Sequence, residues 1–377
     1  MPTRGHFSKV NTYRVLRTIQ ISNKISRKEI ADILGLDKST LTKIVSSLLN
    51  TGIIIEAPRE EKGSGAVGRR PIYLDLNPAF GNIAGFEIDS ERVSGCIIDF
   101  HGNVLEKAQV LRNITQKSIV PAVTKVYGSL IEKFSKKNPS HTILGAGIAL
   151  PGIIDPMEGV VSFSHPLAIT EPVALGELIE KALGVPVLLE NNANSGCWGE
   201  LFSRNERDDE DLVFVFIDNR KKEVPGMAPS GINVGLGVAV DGRVRYGKNH
   251  LAGVFRSAFL SPGDKSQFHS KDKEGEIHEL GANIAVIVNT LAPEHVVLYG
   301  AMSDDHSISI IREELSKRWP FPVEMPSDIL TSRLPDPGLA FGAAAMFMET
   351  LFSMPRIPRV GESLSAVYRG KELLSLY

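Results

Sequence analysis

Apolar positions in the first part of the chain recur at the spacing expected of helices. They predict a helix over 11–19, a second after the SRKE segment at 26–29, and a third over 38–49. SRKE is a capping box, in which the serine oxygen accepts from a free backbone N–H and the glutamate reaches back. Gly35 is expected to end the second helix, Asp37 to cap the third, and Gly52 to end it. The predicted inward positions are Tyr13, Leu16, Ile19, Ile30, Ile33, Leu34, Leu41, Ile44, Val45, Leu48 and Leu49.

The opposite face of the third helix carries lysines and hydroxyls but no carboxylate. Such a face can enter a DNA major groove, where short polar groups reach phosphates and base edges without repulsion. Two helices joined by a short glycine turn form the helix-turn-helix layout, in which the second helix reads DNA. The predicted DNA-binding residues are Arg27, Lys38, Ser39, Thr40, Thr42, Lys43, Ser46, Arg69 and Arg70. The alternative is a three-helix protein-binding module with a solvated polar face.

Two strand-like segments follow the third helix. IIIE (53–56) starts one strand, and PIYLDLNP (71–78) alternates apolar residues with Tyr73 and Asp75, as in a half-buried strand. The pair predicts a β-hairpin wing. Arg69 and Arg70, at its base, could reach the DNA backbone or a minor groove.

The remaining 300 residues show the pattern of two α/β lobes. Three short strands over 83–89, 93–100 and 104–111 precede a helix near 117–136 and a strand over 143–152. A second set has strands at 212–218, 232–242 and 295–300, a helix at 276–291 and another from Gly338. Such a duplication implies two similar lobes with a ligand cleft between them.

Charge separates the two parts of the chain. Residues 1–78 hold 13 Lys or Arg against 7 Asp or Glu, whereas the remainder holds 29 against 37. A basic module joined to an acidic body indicates that only the module meets a polyanion. Cys96 and Cys197 are too few for a disulfide framework or a thiolate zinc site. The absence of long apolar runs and of a signal-peptide core predicts a cytoplasmic protein without a membrane partner.

Several motifs together resemble the ROK family of sugar kinases and sugar-responsive repressors. They are the helix-turn-helix and wing segments with GRRPIYLDLNP, then GAGIALPGIIDPMEGVV, VPVLLENNANSGCWGE and HVVLYGA. The resemblance implies an actin/hexokinase-like (ribonuclease H-like) α/β body. The N-terminal winged helix places the chain with the repressor branch, and the expected partners of this protein are operator DNA and further copies of itself in a homodimer or tetramer.

The kinase motifs of that family are altered in this chain. The Asp-Ile-Gly-Gly-Thr turn that holds ATP phosphates aligns with 88–92, which lacks both glycines and carries Glu91. The second phosphate loop matches 231–237 with its threonine replaced by Ile232, and the adenosine-side Gly-Gly is reduced to Gly300-Ala301. The family's catalytic aspartate is Asn192 here, and an amide cannot act as a general base. These changes predict no kinase activity, no catalytic residue and no cofactor.

The family's sugar and zinc positions are only partly kept. Asn191 and Glu200 match two sugar-binding positions, whereas Val254 and Ser257 replace the usual glutamate and histidine. The zinc-binding cysteines are absent, so no metal is expected, and His269 and His278 are expected to be surface or core histidines. The predicted ligand-binding residues are Asn191, Asn192, Glu200, His165 and Ser257. The alternative is that Asn191, Asn192 and Asn194 cap the next helix, and for Asn194 this capping role is the favoured interpretation.

The resulting prediction divides the chain into a winged helix-turn-helix domain (1–78), a first lobe (79–195, with helix 338–352 returning to it), a second lobe (196–337) and a C-terminal tail (353–377). The function expected is a DNA-binding regulator that represses carbohydrate-related genes and is controlled by a sugar or sugar derivative in the cleft. A second hypothesis is a regulator without an effector, whose body is a dimerisation or protein-interaction platform. A third is an active sugar kinase.

Overall fold

The computed structural model describes residues 4–22, 24–57, 72–139, 141–204, 211–219, 232–264, 266–325 and 327–352. The helices there are α1 (Arg4–Ser22), α2 (Arg27–Leu34), α3 (Lys38–Thr51), α4 (Gln116–Lys137), α5 (Leu175–Leu183), α6 (Asn192–Arg204), α7 (Lys273–Leu291), α8 (Asp305–Arg318) and α9 (Gly338–Phe352). The strands are β1 (Ile25–Ser26), β2 (Ile54–Ala57), β3 (Tyr73–Leu76), β4 (Asn82–Ile88), β5 (Arg92–Ile98), β6 (Val104–Leu111), β7 (Ile143–Leu150), β8 (Ile153–Asp155), β9 (Val160–Phe163), β10 (Val187–Asn191), β11 (Leu212–Asp218), β12 (Asn233–Val240), β13 (Arg243–Val244), β14 (His295–Gly300) and β15 (Asp328–Thr331). Within these ranges, no helix is long and apolar enough to cross a membrane.

The N-terminal part forms a winged helix. Helices α1, α2 and α3 pack together, and β1, β3 and β2 form a three-stranded antiparallel sheet in that order. The predicted capping box is confirmed, because Ser26 and Glu29 exchange their hydrogen bonds. The predicted ends at Gly35 and Gly52 are confirmed too, and both glycines adopt the left-handed backbone that helix ends favour.

Two burial predictions in this part are wrong. Ile33 is 63% exposed, because the neighbouring helices cover only the stripe of α2 that contains Ile30, Ala31 and Leu34. In the wing, Ile72 is exposed whereas Tyr73 and Asp75 are buried. Strand β3 lies in the middle of its sheet and is covered on both faces, so the expected alternation does not hold.

The body consists of two five-stranded mixed sheets. The first has the order β10-β7-β4-β5-β6, with β4, β5 and β6 antiparallel and β7 and β10 parallel to β4. The second has the order β13-β12-β11-β14-β15, with β14 and β15 parallel to β11. Both α/β patterns predicted from the sequence are confirmed, although α5, α8 and the short strands β8, β9, β13 and β15 were missed.

Helix α9 lies directly on the first sheet and also packs on α6. A Cβ atom at Gly85 would come within 2.0 Å of the Ala340 carbonyl oxygen, and one at Gly147 within 1.9 Å of that of Ala343. Only glycine therefore permits this approach of helix to sheet. Helix α6 in turn packs on β11 and β12 of the second sheet, and the predicted lobe boundary at 195/196 falls inside it.

The winged helix and the first lobe share one hydrophobic core. It joins residues of α1, α2, α3 and β3 to Ile98 and Phe100 of the first lobe and to the C-terminal half of α9. The Phe100 ring lies 5.3 Å from that of Phe352 and 5.9 Å from that of Phe80. Two polar contacts seal the junction: Arg17 pairs with Glu349 of α9, and Asp75 Oδ1 lies 3.0 Å from His101 Nε2.

Because this core is shared, the winged helix and the body should unfold in a single transition. Replacing the buried Phe100 (Phe100→Ala) should lower the free energy of unfolding by about 3–5 kcal/mol. Chemical denaturation followed by circular dichroism and by tryptophan fluorescence measures this. The matched control is Phe259→Ala at a half-exposed phenylalanine, expected to change stability by no more than about 0.5 kcal/mol. Two separated transitions in the wild type would contradict a shared core.

Candidate functional site

The first candidate site is the outer face of α3. Asp37 caps the helix by accepting from the backbone N–H of Thr40 at 2.9 Å, and Leu41, Ile44, Val45 and Leu48 bury the inner face. The side chains of Lys38, Ser39, Thr42, Lys43 and Ser46 are exposed on the outer face. No acidic residue occupies the first turn of α3. The structure thus presents the predicted cationic and hydroxyl face to solvent.

Three of the predicted DNA-contacting side chains have partners within the protein. Arg27 pairs with Glu56 of β2 at 3.1 Å, which ties α2 to the wing. The hydroxyl of Thr40 donates to Asp37, and that of Thr42 donates to the carbonyl oxygen of Lys38. Thr40 is half-buried and serves the helix cap first. Arg69 and Arg70 lie outside the described residues.

The second candidate site is a cleft of about 790 Å³ between the two lobes. Parallel strands of both sheets end at its walls, since the carboxyl ends of β4 and β10 face those of β11, β14 and β15. The carboxyl edge of parallel strands is where ligands bind in open α/β sheets. The predicted cleft is therefore present.

Asn191 and Asn192 line the cleft, and they use their side chains differently. Asn191 donates to the Gly152 carbonyl oxygen and accepts from the backbone N–H of Ala193, both at 2.9 Å, so it caps α6. Asn194, which the sequence favoured as the cap, lies inside the helix and donates to the Glu190 carboxylate at 3.1 Å. Asn192 is 6% exposed, and its Oδ1 accepts no hydrogen bond from the described residues.

Three of the predicted ligand contacts do not line the cleft, which corrects the expectation for them. Glu200 is fully buried, where it accepts from the Ser332 hydroxyl and the Arg333 N–H and supports the 331–333 segment from behind. Ser257 is 5% exposed and accepts from Asn283 at 3.1 Å. His165 is half-buried in a turn, where only the next residue, Pro166, reaches the cleft wall.

A buried carboxylate links the lobes beneath the cleft. Glu190, at the end of β10, accepts from the Tyr246 hydroxyl of the second lobe at 2.9 Å and from the Asn191 N–H at 2.8 Å. Burial raises the pKa of Glu190 to about 7, although these hydrogen bonds favour its charged form. Glu190 is therefore held near its midpoint of protonation at neutral pH.

Sequence reasoning missed Glu87, which lines the cleft at the end of β4. It is 6% exposed and lies 3.6 Å from the Arg92 guanidinium. The pKa of Glu87 is raised to about 7, mainly by burial and also by the charges of Asp89 and Asp218, while the charge of Arg92 opposes the rise. The signal in the sequence was a single carboxylate inside the otherwise apolar strand IAGFEI.

The turn after β4 differs physically from a phosphate-binding loop. Asp89 Oδ1 accepts from the backbone N–H groups of Glu91 at 2.6 Å and Arg92 at 2.9 Å. Backbone N–H groups at such a turn are what a phosphate would require. Here a carboxylate of the protein already occupies them.

The histidines considered for zinc make other contacts. His278 Nδ1 lies 3.0 Å from Glu314 Oε1. The backbone N–H of His269 donates to the Glu279 carboxylate at 2.8 Å. Among the described residues, no group of three or more His, Cys, Asp or Glu side chains could hold a metal ion.

Comparison with known proteins matches both parts of the chain. Residues 10–55 match the winged helix-turn-helix DNA-binding family, and residues 83–255 match the ROK family. The chain is 28% identical to the xylose repressor of Caldicellulosiruptor bescii, over 65% of this chain and 57% of that protein. It is 23% identical to the xylose repressor of Bacillus subtilis, over 92% of this chain and 97% of that protein.

A solved ROK family transcriptional regulator, described as a homologue of the Escherichia coli protein Mlc, has the same fold. The TM-score is 0.71 at 18% sequence identity, and the match covers 98% of this chain and 99% of that one. The N-terminal module thus resembles winged helix-turn-helix DNA-binding domains, and the body resembles proteins of the ROK family.

The raised pKa of Glu190 gives a pH dependence with a definite sign. A carboxyl group whose pKa is higher in the folded state stabilises the fold below its unfolded pKa, and that stability is lost as the pH rises through about 7. The variant Glu190→Gln should remove this loss, which amounts to at most about 3 kcal/mol between about pH 5 and pH 8. Denaturant titrations across that range measure it.

Glu177→Gln, at an exposed glutamate of α5, is the control and should keep the wild-type pH dependence. An unchanged slope in Glu190→Gln would show that this carboxyl group is not the one that titrates.

Proposed function

We propose that this protein, a winged helix-turn-helix module on a ROK-family body, is a transcriptional repressor of carbohydrate-related genes. It binds a partly palindromic operator as a homodimer or tetramer, and a sugar or sugar derivative in the inter-lobe cleft controls it. The similar proteins are named xylose repressors, which supports the link to sugar genes.

The observation that carries the proposal is the outer face of α3. Its lysines and hydroxyls are exposed, while the apolar residues that hold it in place are buried in the shared core. Residues 1–78 carry the excess of positive charge, whereas the rest of the chain is acidic. Only the module is therefore attracted to the phosphate backbone of DNA.

Helix α9 supports a route from the cleft to DNA. It packs on both the first sheet and α6, and its Glu349 pairs with Arg17 of the winged helix. A ligand that binds more tightly to one arrangement of the lobes shifts the population toward that arrangement. In a dimer, a displacement of α9 changes the spacing of the two recognition helices, which must match the half-sites of the operator.

Kinase activity does not fit this cleft. The residue at the position of the family's general base is Asn192, and losing such a base costs about 10²–10⁴ in rate. The backbone N–H groups of Glu91 and Arg92 are bonded to Asp89, and Glu91 adds negative charge where ATP phosphates would lie. The cleft therefore lacks both the general base for the proton transfer and the phosphate-binding turn for the nucleotide.

One observation favours a second candidate, a regulator without a small-molecule effector. The side chains of Asn191, Glu200 and Ser257 are all engaged by groups of the protein itself. In that case the body would serve dimerisation or protein interaction only. Ligand titrations of the kind described below separate the two, because stabilisation by a small molecule in the cleft excludes this candidate.

The DNA-binding role of α3 predicts a defined effect of Lys43→Ala. Loss of one phosphate contact should weaken binding to all DNA sequences and flatten the plot of log affinity against log salt by about one unit. Fluorescence anisotropy with the protein's own upstream DNA, over a series of salt concentrations, measures both quantities. Lys125→Ala on α4, an exposed lysine of the first lobe, should leave them unchanged. Equal slopes for the two variants would show that Lys43 of α3 makes no phosphate contact.

The loss of kinase chemistry predicts no ATP consumption above background with any monosaccharide. Restoring an acid with Asn192→Asp should not rescue activity, because the Glu91 and Arg92 N–H groups of the turn are still bonded to Asp89 and not to a phosphate. A coupled ATP-consumption assay on both proteins tests this. Sugar-dependent turnover by Asn192→Asp would show that nucleotide does bind in the cleft.

A further inference from the structure

The charged side chains on the cleft wall are mainly acidic. Among the described residues, Glu87, Asp89, Glu91 and Asp218 line the cleft beside the guanidinium of Arg92. The Asn191 amide is bonded to Gly152, and the backbone N–H groups of Glu91 and Arg92 are bonded to Asp89. Glu87 lies on the wall at the end of β4, and Asn192 at the start of α6.

Asn192 indicates that a donor is missing. It is 6% exposed, and its Oδ1 is buried and accepts no hydrogen bond from any described residue. Leaving a buried acceptor unsatisfied costs about 1–3 kcal/mol. A ligand hydroxyl or N–H in the cleft would supply the bond that the protein does not.

Glu87 indicates the charge of that ligand. Its carboxylate is 6% exposed, and Arg92, at 3.6 Å, also serves Asp89 at 3.0 Å. From the opposite lobe, Asp218 adds its negative charge to the field at Glu87. A single guanidinium shared between two carboxylates leaves the described wall with an excess of negative charge.

We propose that the effector carries a protonated amine beside its hydroxyl groups, as an amino sugar or amino polyol does. The ammonium group binds at Glu87, and a hydroxyl of the ligand donates to Asn192 Oδ1. This inference rests on the proposed function, because it names the chemical class of the cleft ligand.

Two other ligand classes fit the same residues less well. A bare metal ion needs several closely spaced ligands, and the described residues contain no suitable group of three or more acidic, His or Cys side chains. A sugar phosphate would meet Glu91 and a turn whose N–H groups are taken. An ammonium group needs only one carboxylate and an acceptor nearby.

The test is isothermal titration of the full chain at neutral pH with three matched sets of probes. They are glucosamine, galactosamine and mannosamine, their neutral parents, and the corresponding sugar 6-phosphates. At least one free amino sugar should bind, and at least about tenfold more tightly than its neutral parent, as a charged hydrogen bond implies.

Two variants assign that preference to its residues. Glu87→Gln should bring the affinity for the amino sugar down to that for the neutral parent. Asn192→Leu should weaken both, because the acceptor is lost while the volume is kept. Glu177→Gln, at an exposed glutamate of α5, should bind as the wild type does.

Three results would overturn the proposal. Equal affinity for an amino sugar and its parent would remove the role of charge. Tighter binding of a 6-phosphate would assign the cleft to anions instead. No binding of any amino sugar would reject the class.

Operator binding without ligand is measured in parallel on the same preparations. Sequence-selective binding there, together with failure of the titrations, rejects only the amine proposal. Failure of operator binding would reject the proposed function itself.

Discussion

The contact between α9 and the first sheet is the constraint on which the rest of the molecule depends. Gly85 and Gly147 allow the backbone of α9 to contact the strands directly, which determines where α9 packs on the sheet. In this position α9 also packs on α6, which carries the cleft residue Asn192. Its C-terminal end contacts the winged helix through the Glu349 ion pair and shares a core with it through Phe352. Helix α9 thereby connects the first sheet, the cleft and the winged helix that contains α3.

The polar groups around the cleft mostly hold the protein together. Asn191 caps α6, Glu200 supports the 331–333 segment, Asp89 closes its own turn, and Glu190 joins the lobes through Tyr246. Glu87 and Asn192 differ from these groups, since both line the cleft and Asn192 Oδ1 accepts no hydrogen bond from the described residues.

Local sequence signals predicted much of the fold. The capping box at Ser26, the glycine ends at Gly35 and Gly52, and the apolar stripe of α3 act within a few residues, so their outcome does not depend on the rest of the chain. The errors came where distant segments decide burial. Tyr73 is covered because β3 lies in the middle of its sheet and is buried on both faces, and Ser257 is bonded to Asn283, which lies 26 residues further along the chain. Glu87 was missed because a lone acid in an apolar strand carries no information about the Asp218 that faces it from the other lobe.

The junction sealed by Arg17, Asp75 and the Phe100 cluster also limits how such regulators can be recombined. A winged helix cut out at residue 78 would leave behind an apolar surface on the body and carry another with it, since both halves contribute to one core. The winged helix therefore cannot be exchanged between proteins on its own. A functional chimera must also carry the matching end of α9 and the β5–β6 turn that holds His101, because these segments complete the shared core.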